Sequence, residues 1–250
     1  MNTEKTNREK YFAFMLIVMG VFGLLVILWR LTCYQFEYDP KHYPVDYGAY
    51  NVLSYFTIQS NIFSSVYLVI KGFAVNGSGK AKKFAFNPTV TLFVTTYIII
   101  TGLVYCSGFP LKMSPPLHWN TAYRAMHSFT QIFHHVIMPL FMTVLFFFPS
   151  TEEKISKKAV FLAGIYPFVY SVFSIIRGAV GRMHFYAYPF YRPDFFTDLL
   201  MKGKEVSLPL SYILMLPALV LGIGLFIAAA AILRILYNRR IKSKYGKEEK

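Results

Sequence analysis

Two apolar stretches carry hydroxyl, amide and imidazole groups at spacings that could do chemistry. The first, SYFTIQSNIFSS, runs from Ser54 to Ser65. At 100° per residue, Ser54, Thr57, Ser60, Asn61 and Ser64 fall within roughly 120° of one another on a helix, and Gln59 points the other way. The second, YRAMHSFTQIFHHVIMPLFM, places His127, Thr130, Gln131 and His134 on one face within about 100°, with His135 about 100° from His134. Lipid cannot satisfy these polar groups, so both stripes must face other helices or a wet cavity.

A threonine hydroxyl is a weak nucleophile until a base takes its proton, and a neutral imidazole within hydrogen-bond reach is the usual base. The expected pair is Thr57 as nucleophile and His134 as general base. Mid-helix N–H groups are already used four residues back, so an oxyanion must be held by side chains. Asn61, one turn below Thr57, is the first choice and Tyr170 the second. No Asp or Glu lies inside an apolar run. The imidazole is therefore oriented by an amide such as Gln131, or by a loop carboxylate, of which Asp46 is nearest in sequence. Arg177, at the outer end of the fifth run, can reach lipid headgroups or hold a substrate carboxylate.

These residues have to be positioned by membrane helices. The chain is 55% hydrophobic and 18% aromatic with a positive mean hydropathy. Its apolar residues come in six runs of bilayer-spanning length, about 11–32, 51–71, 89–108, 126–148, 159–179 and 209–236. The expected fold is all-α: one six-helix transmembrane domain over residues 1–250. Its first helix reads as an uncleaved signal anchor, because no small-residue cleavage site follows it.

The net charge of +14 does not point to nucleic acid, because its placement has a membrane explanation. Lys5, Arg8 and Lys10, then Lys71, Lys80, Lys82 and Lys83, then Lys154, Lys157 and Lys158, and finally the tail from Arg234 to Lys250 would all share one side. That bias puts both termini in the cytoplasm of a cell-membrane protein. The six histidines fall on or near the outer side, which charge orientation does not explain. With this topology Thr57 and His134 lie roughly 10–12 Å below the outer helix starts, so the two stripes reach one depth. The Pro-broken aromatic segment Phe185–Phe195 is expected to lie over them as a lid. Cys33 and Cys106 read as apolar fillers, and nothing in the sequence implies a metal or cofactor.

On these residues the chain resembles the androgen-induced membrane hydrolases, the family that includes the androgen-dependent TFPI-regulating protein. The resemblance lies in FT-x-Q-S-N early in the second helix, H-x-x-V/I-L/M-P in the fourth, and YPF after the fifth. It implies a multi-pass threonine hydrolase that cleaves fatty acid esters of hydroxy fatty acids. It puts the nucleophile on Thr57, the histidine on His134 through HHVIMP, and the YPF on Tyr188, Pro189 and Phe190. This sequence departs from the pattern in its fuller SN after Thr57, its doubled His134-His135 and a longer stretch between Gly181 and Tyr188.

Two other readings compete with a lipid-ester hydrolase. One is a non-enzymatic protein that binds or transports a lipid or small molecule, its polar stripes lining a cavity or serving as packing glue. The other is a zinc hydrolase using His127, His134, His184 and an outer Asp. His127 and His134 are two turns apart, roughly 10.5 Å along the axis, which is too far for one ion.

Overall fold

The computed structural model describes residues 3–32, 49–77, 79–108, 117–148, 151–181, 184–201 and 207–245, and every regular element among them is helical. In chain order these are α1 (Thr3–Thr32), α2 (Ala49–Leu53), α3 (Phe56–Val75), α4 (Gly79–Ala85), α5 (Pro88–Gly108), α6 (Ala122–Ile132), a π-turn (Phe133–Ile137), α7 (Met138–Phe146), α8 (Lys157–Leu162), α9 (Ile165–Val180), a 3-10 turn (Pro189–Tyr191), α10 (Pro193–Met201) and α11 (Leu208–Tyr245). Six segments are long and apolar enough to cross a membrane: Asn7–Thr32, Phe56–Val75, Pro88–Gly108, Ala122–Phe146, Lys157–Val180 and Leu208–Lys244. This is the make-up of a multi-pass membrane protein.

The central core joins α1, α3, α5 and the π-turn with α7, through Leu16, Leu68, Ile98, Phe133, Met138 and Met142. A second core, of Leu92, Phe146, Ile155, Ala159, Leu233 and Tyr237, ties α5, α7, α8 and α11 together at one end. Outside, Leu103, Leu140, Phe173 and Leu221 are exposed, as side chains that face lipid must be.

Two departures from straight helices shape the site. The expected single helix over 51–71 is broken at Ser54–Tyr55, where Tyr55 is extended (φ −72°, ψ 132°). Carbonyls left without helical partners at the break are satisfied by side chains. Gln59 Nε2 donates to Leu53 O at 2.9 Å, and the Tyr170 hydroxyl donates to Ser54 O at 2.8 Å. The break makes Thr57 the second residue of a new helix, not a mid-helix residue.

The other departure is the π-turn in the fourth span, where Met138 N–H donates to Phe133 O, five residues back. Pro139 accounts for it. Proline has no N–H to give the carbonyl four residues earlier, here His135 O, and its ring crowds that carbonyl. The released His135 O turns toward α5, where a Cβ on Gly102 would sit 2.7 Å from it and 3.1 Å from Pro139. Only glycine at 102 admits the bulge.

The fifth span is also interrupted, between α8 and α9. Pro167 lies in the first turn of α9 and cannot donate to Ala163, so the helix restarts there. Of the two cysteines, Cys106 is an exposed free thiol, and Cys33 lies outside the described residues.

Candidate active site

At the restart of α3 the first amides have no helical carbonyl to reach. Two tyrosine hydroxyls take them. Phe56 N–H donates to Tyr170 Oη at 3.1 Å, and Thr57 N–H donates to Tyr188 Oη at 3.2 Å. Tyr170 comes from α9 and Tyr188 from the loop that follows it, so the N-terminus of α3 is capped by a distant part of the chain. Tyr188 Oη also lies 3.3 Å from Thr57 Oγ1. The loop after α9 thus reaches Thr57 through the Tyr188 hydroxyl.

The imidazole that meets Thr57 is His135, with Nε2 3.3 Å from Thr57 Oγ1. This corrects the expected Thr57–His134 contact. His134 is buried, its Nε2 has no partner among the described residues, and its backbone carbonyl accepts from Asn61. The π-turn is the cause. It winds each residue through less than the 100° of an α-helix, so it carries His135 back toward the meridian of Gln131 and leaves His134 further short of it. Pro139 was the sequence signal for this shift.

His135 is held in one tautomer. Its Nδ1 lies 2.8 Å from Gln131 O, and a carbonyl can only accept, so Nδ1 carries the proton and Nε2 presents a lone pair to Thr57. Tyr105 of α5 stacks on the ring at 3.9 Å with an interplanar angle of 13°. The expected role of the Gln131 side-chain amide, orienting His134, is not what is found: its backbone carbonyl orients His135. Its side-chain amide lies 3.3 Å from His127 Nε2 instead.

Asn61 does not fill the role of oxyanion donor. Its Nδ2 donates to Thr57 O at 2.8 Å and to His134 O at 3.1 Å, leaving only the acceptor Oδ1, which is buried without a partner. Ser60 and Ser64 of the same stripe return their hydroxyls to carbonyls of α3, and Ser60 also meets Thr101 of α5 at 2.9 Å. For those two serines the packing reading is the right one. Gln59, on the opposite face, holds the helix break and meets the Tyr166 hydroxyl.

The remaining candidates scatter. Arg177 bonds Asn51 Oδ1 and lies 4.8 Å over the Phe185 ring, so it braces α9 against α2. Pro189 starts the 3-10 turn, and Phe190 stacks on Tyr188 at 5.2 Å, supporting the residue that touches Thr57. Asp46 lies outside the described residues. The three histidines of the zinc reading do not converge. His127 Nδ1 accepts from Arg30 of α1 at 2.7 Å, His184 Nδ1 lies 3.2 Å from Gly178 O, and among the described residues no three His, Cys, Asp or Glu groups gather around a point.

A cavity of about 230 Å³ lined by Lys82, Lys83, Phe86, Asn87, Thr151 and Glu153 lies beyond the other end of α3 and shares no residue with this cluster. The arrangement around Thr57 is a hydroxyl between a basic imidazole nitrogen and a phenol, at a helix N-terminus. No protein-family model, no curated protein and no solved structure matches the chain, so the reading of this site rests on its own residues.

Proposed function

We propose that this protein is a membrane-embedded hydrolase of lipid esters, with Thr57 as nucleophile and His135 as general base. One observation carries the reading: a threonine hydroxyl 3.3 Å from an imidazole nitrogen whose tautomer is set by a backbone carbonyl. That is the nucleophile, base and orienting group of covalent catalysis, at the slightly loose spacing that sites without substrate show. A carbonyl stands where serine hydrolases use a carboxylate, so the imidazolium that forms is less strongly stabilised here.

In the reaction, Thr57 Oγ1 attacks the ester carbonyl carbon and its proton passes to His135 Nε2. The carbonyl π pair moves onto oxygen. Collapse restores the carbonyl and expels the alcohol oxygen, which takes the proton from His135. Water then attacks the acyl-threonine with His135 as base, releasing the fatty acid and returning the proton to Thr57.

An ester that reaches a site among membrane helices must partition into the bilayer, which favours long-chain acyl esters. Fatty acid esters of hydroxy fatty acids, the class implied by the family resemblance, fit that description. The test uses purified full-length protein in detergent. A fluorophosphonate probe should label Thr57, and Thr57→Ala should lose both labelling and cleavage of an acyl-ester panel. Thr57→Ser, which keeps the hydroxyl, should retain part of each. Cleavage by Thr57→Ala at the wild-type rate would overturn the reading and favour a binding or transport protein.

The orientation belongs to the same proposal: a cell-membrane protein with both termini in the cytoplasm. Arg234 Nε and Asn238 Nδ2 bond Ile155 O at 3.0 and 2.9 Å, so the basic end of α11 lies beside the loop that bears Lys154 and leads into Lys157 and Lys158 at the start of α8. One strongly basic end is what the positive-inside bias requires. A reporter fused after Lys250 should behave as cytoplasmic, and an externally accessible fusion would reverse the assignment.

A further inference from the structure

We propose that Tyr188 supplies the oxyanion-holding hydrogen bond of this reaction, donated by its phenolic hydroxyl at the N-terminus of α3. The inference rests on the reading of Thr57 as nucleophile.

The reaction needs a donor aimed at the oxygen on which charge develops. Asn61 cannot be that donor, since its Nδ2 is occupied by two carbonyls. Tyr170 cannot be either. Its hydroxyl accepts from Phe56 N–H and spends its own proton on Ser54 O.

Tyr188 differs from Tyr170 at this point. Its oxygen accepts from Thr57 N–H at 3.2 Å, which leaves its own proton uncommitted, and Thr57 Oγ1 lies within reach of it at 3.3 Å. Before attack, Thr57 Oγ1 can receive that hydrogen bond while giving its own proton toward His135. During attack Oγ1 becomes an ester oxygen, a weaker acceptor, while the negative charge moves to the carbonyl oxygen two bonds away. The same O–H can follow the charge. Thr57 N–H, at the positive end of the α3 dipole, donates to the phenol oxygen and makes its O–H a stronger donor.

The tyrosine is positioned for this. Phe190 stacks parallel to its ring at 5.2 Å, and Tyr55 meets it edge-on at 5.6 Å. The 3-10 turn that carries it is anchored by Tyr191 Oη, 3.0 Å from Ser171 Oγ of α9. The return of the loop onto α9 also needs Gly178, because the Tyr186 ring occupies the space a Cβ would take. Burial pushes the Tyr188 phenol above its ordinary value, opposed by the hydrogen bonds from Thr57, so it stays protonated and able to donate.

The test is Tyr188→Phe in the purified full-length protein, with 4-nitrophenyl octanoate as substrate and octylboronic acid as a tetrahedral analogue. The phenylalanine keeps the stacked ring and removes only the hydroxyl. We expect kcat to fall about 10²–10³-fold with KM changed by a few-fold at most. Boronate inhibition and fluorophosphonate labelling of Thr57 should weaken in parallel. Activity within about threefold of wild type in Tyr188→Phe, with Thr57→Ala inactive, would overturn the proposal and leave the hydrolase reading standing. Wild-type cleavage by Thr57→Ala would remove both.

Should Tyr188→Phe fail to fold, 2,3-difluorotyrosine at 188 keeps both ring and hydroxyl and makes the phenol more acidic. A donor in the transition state predicts a changed kcat and an alkaline limb moved to lower pH. An unchanged profile would count against the proposal.

Discussion

Replacing His135 by alanine is expected to lower ester cleavage about 10²–10⁴-fold, the usual cost of losing a general base. The protein should remain folded, because His135 is only half-buried and its ring is one layer of a stack with Tyr105. His134→Leu provides the contrast. His134 is the more buried of the two, and its Nε2 has no partner among the described residues, so an apolar side chain of similar volume leaves none of their donors stranded. Its link to Asn61 runs through the backbone carbonyl and survives the change. His134→Leu is therefore expected to keep activity within several-fold of wild type. The measurement is kcat/KM for both variants alongside their melting temperatures. An inactive His134→Leu beside an active His135→Ala would return the base to His134 and contradict the π-turn account.

Gly102→Ala should be strongly damaging although residue 102 touches none of the reacting groups. The added Cβ would lie 2.7 Å from His135 O, a backbone atom, and 3.1 Å from Pro139, so the bulged helix must move away from α5. Overpacking of this kind costs about 1–3 kcal/mol of stability. The kinetic effect should be larger, because a displacement near 1 Å of the base from the nucleophile costs on the order of 10²-fold. The loss should appear in kcat and in the rate of probe labelling at Thr57. Gly222→Ala is the matched control, since nothing lies within 4 Å of its Cβ position in α11. Wild-type kcat in a folded Gly102→Ala protein would show that the bulge does not position the base.

Much of the molecule was legible before the structure. Six apolar runs of membrane length became six spans, with ends shifted by a few residues and the last helix extended to Tyr245. Hydrophobic length is a strong signal because lipid leaves a backbone few alternatives to the helix. Thr57 stood out as a hydroxyl in a polar stripe, and the aromatic segment after the fifth span was expected over it. Of that segment, Tyr188 touches Thr57.

What could not be read was local deviation from ideal winding. Helical-wheel arithmetic assumes 100° at every residue, and both informative stretches break that assumption, one at Ser54–Tyr55 and one at Phe133–Ile137. The first break hides that the Thr57 amide has no helical partner, and with it the backbone hydrogen bond to Tyr188. The second brings His135, not His134, to Thr57. Pro139 announced a disturbance four residues downstream of His135, but not its form.

Composition and the order of apolar runs determine that this chain is a helical bundle fit for a membrane, and that its polar side chains must gather inside it. Which of those side chains touch is decided only in the tertiary structure. A kink, a π-turn and a loop returning from the fifth span bring together residues 57, 135 and 188, whose separation in sequence carries no periodic signal. The physical reason is that burial is dictated by residue type and averaged over many positions, whereas a hydrogen bond needs two particular atoms within about 3 Å and is lost with a shift of one residue in winding.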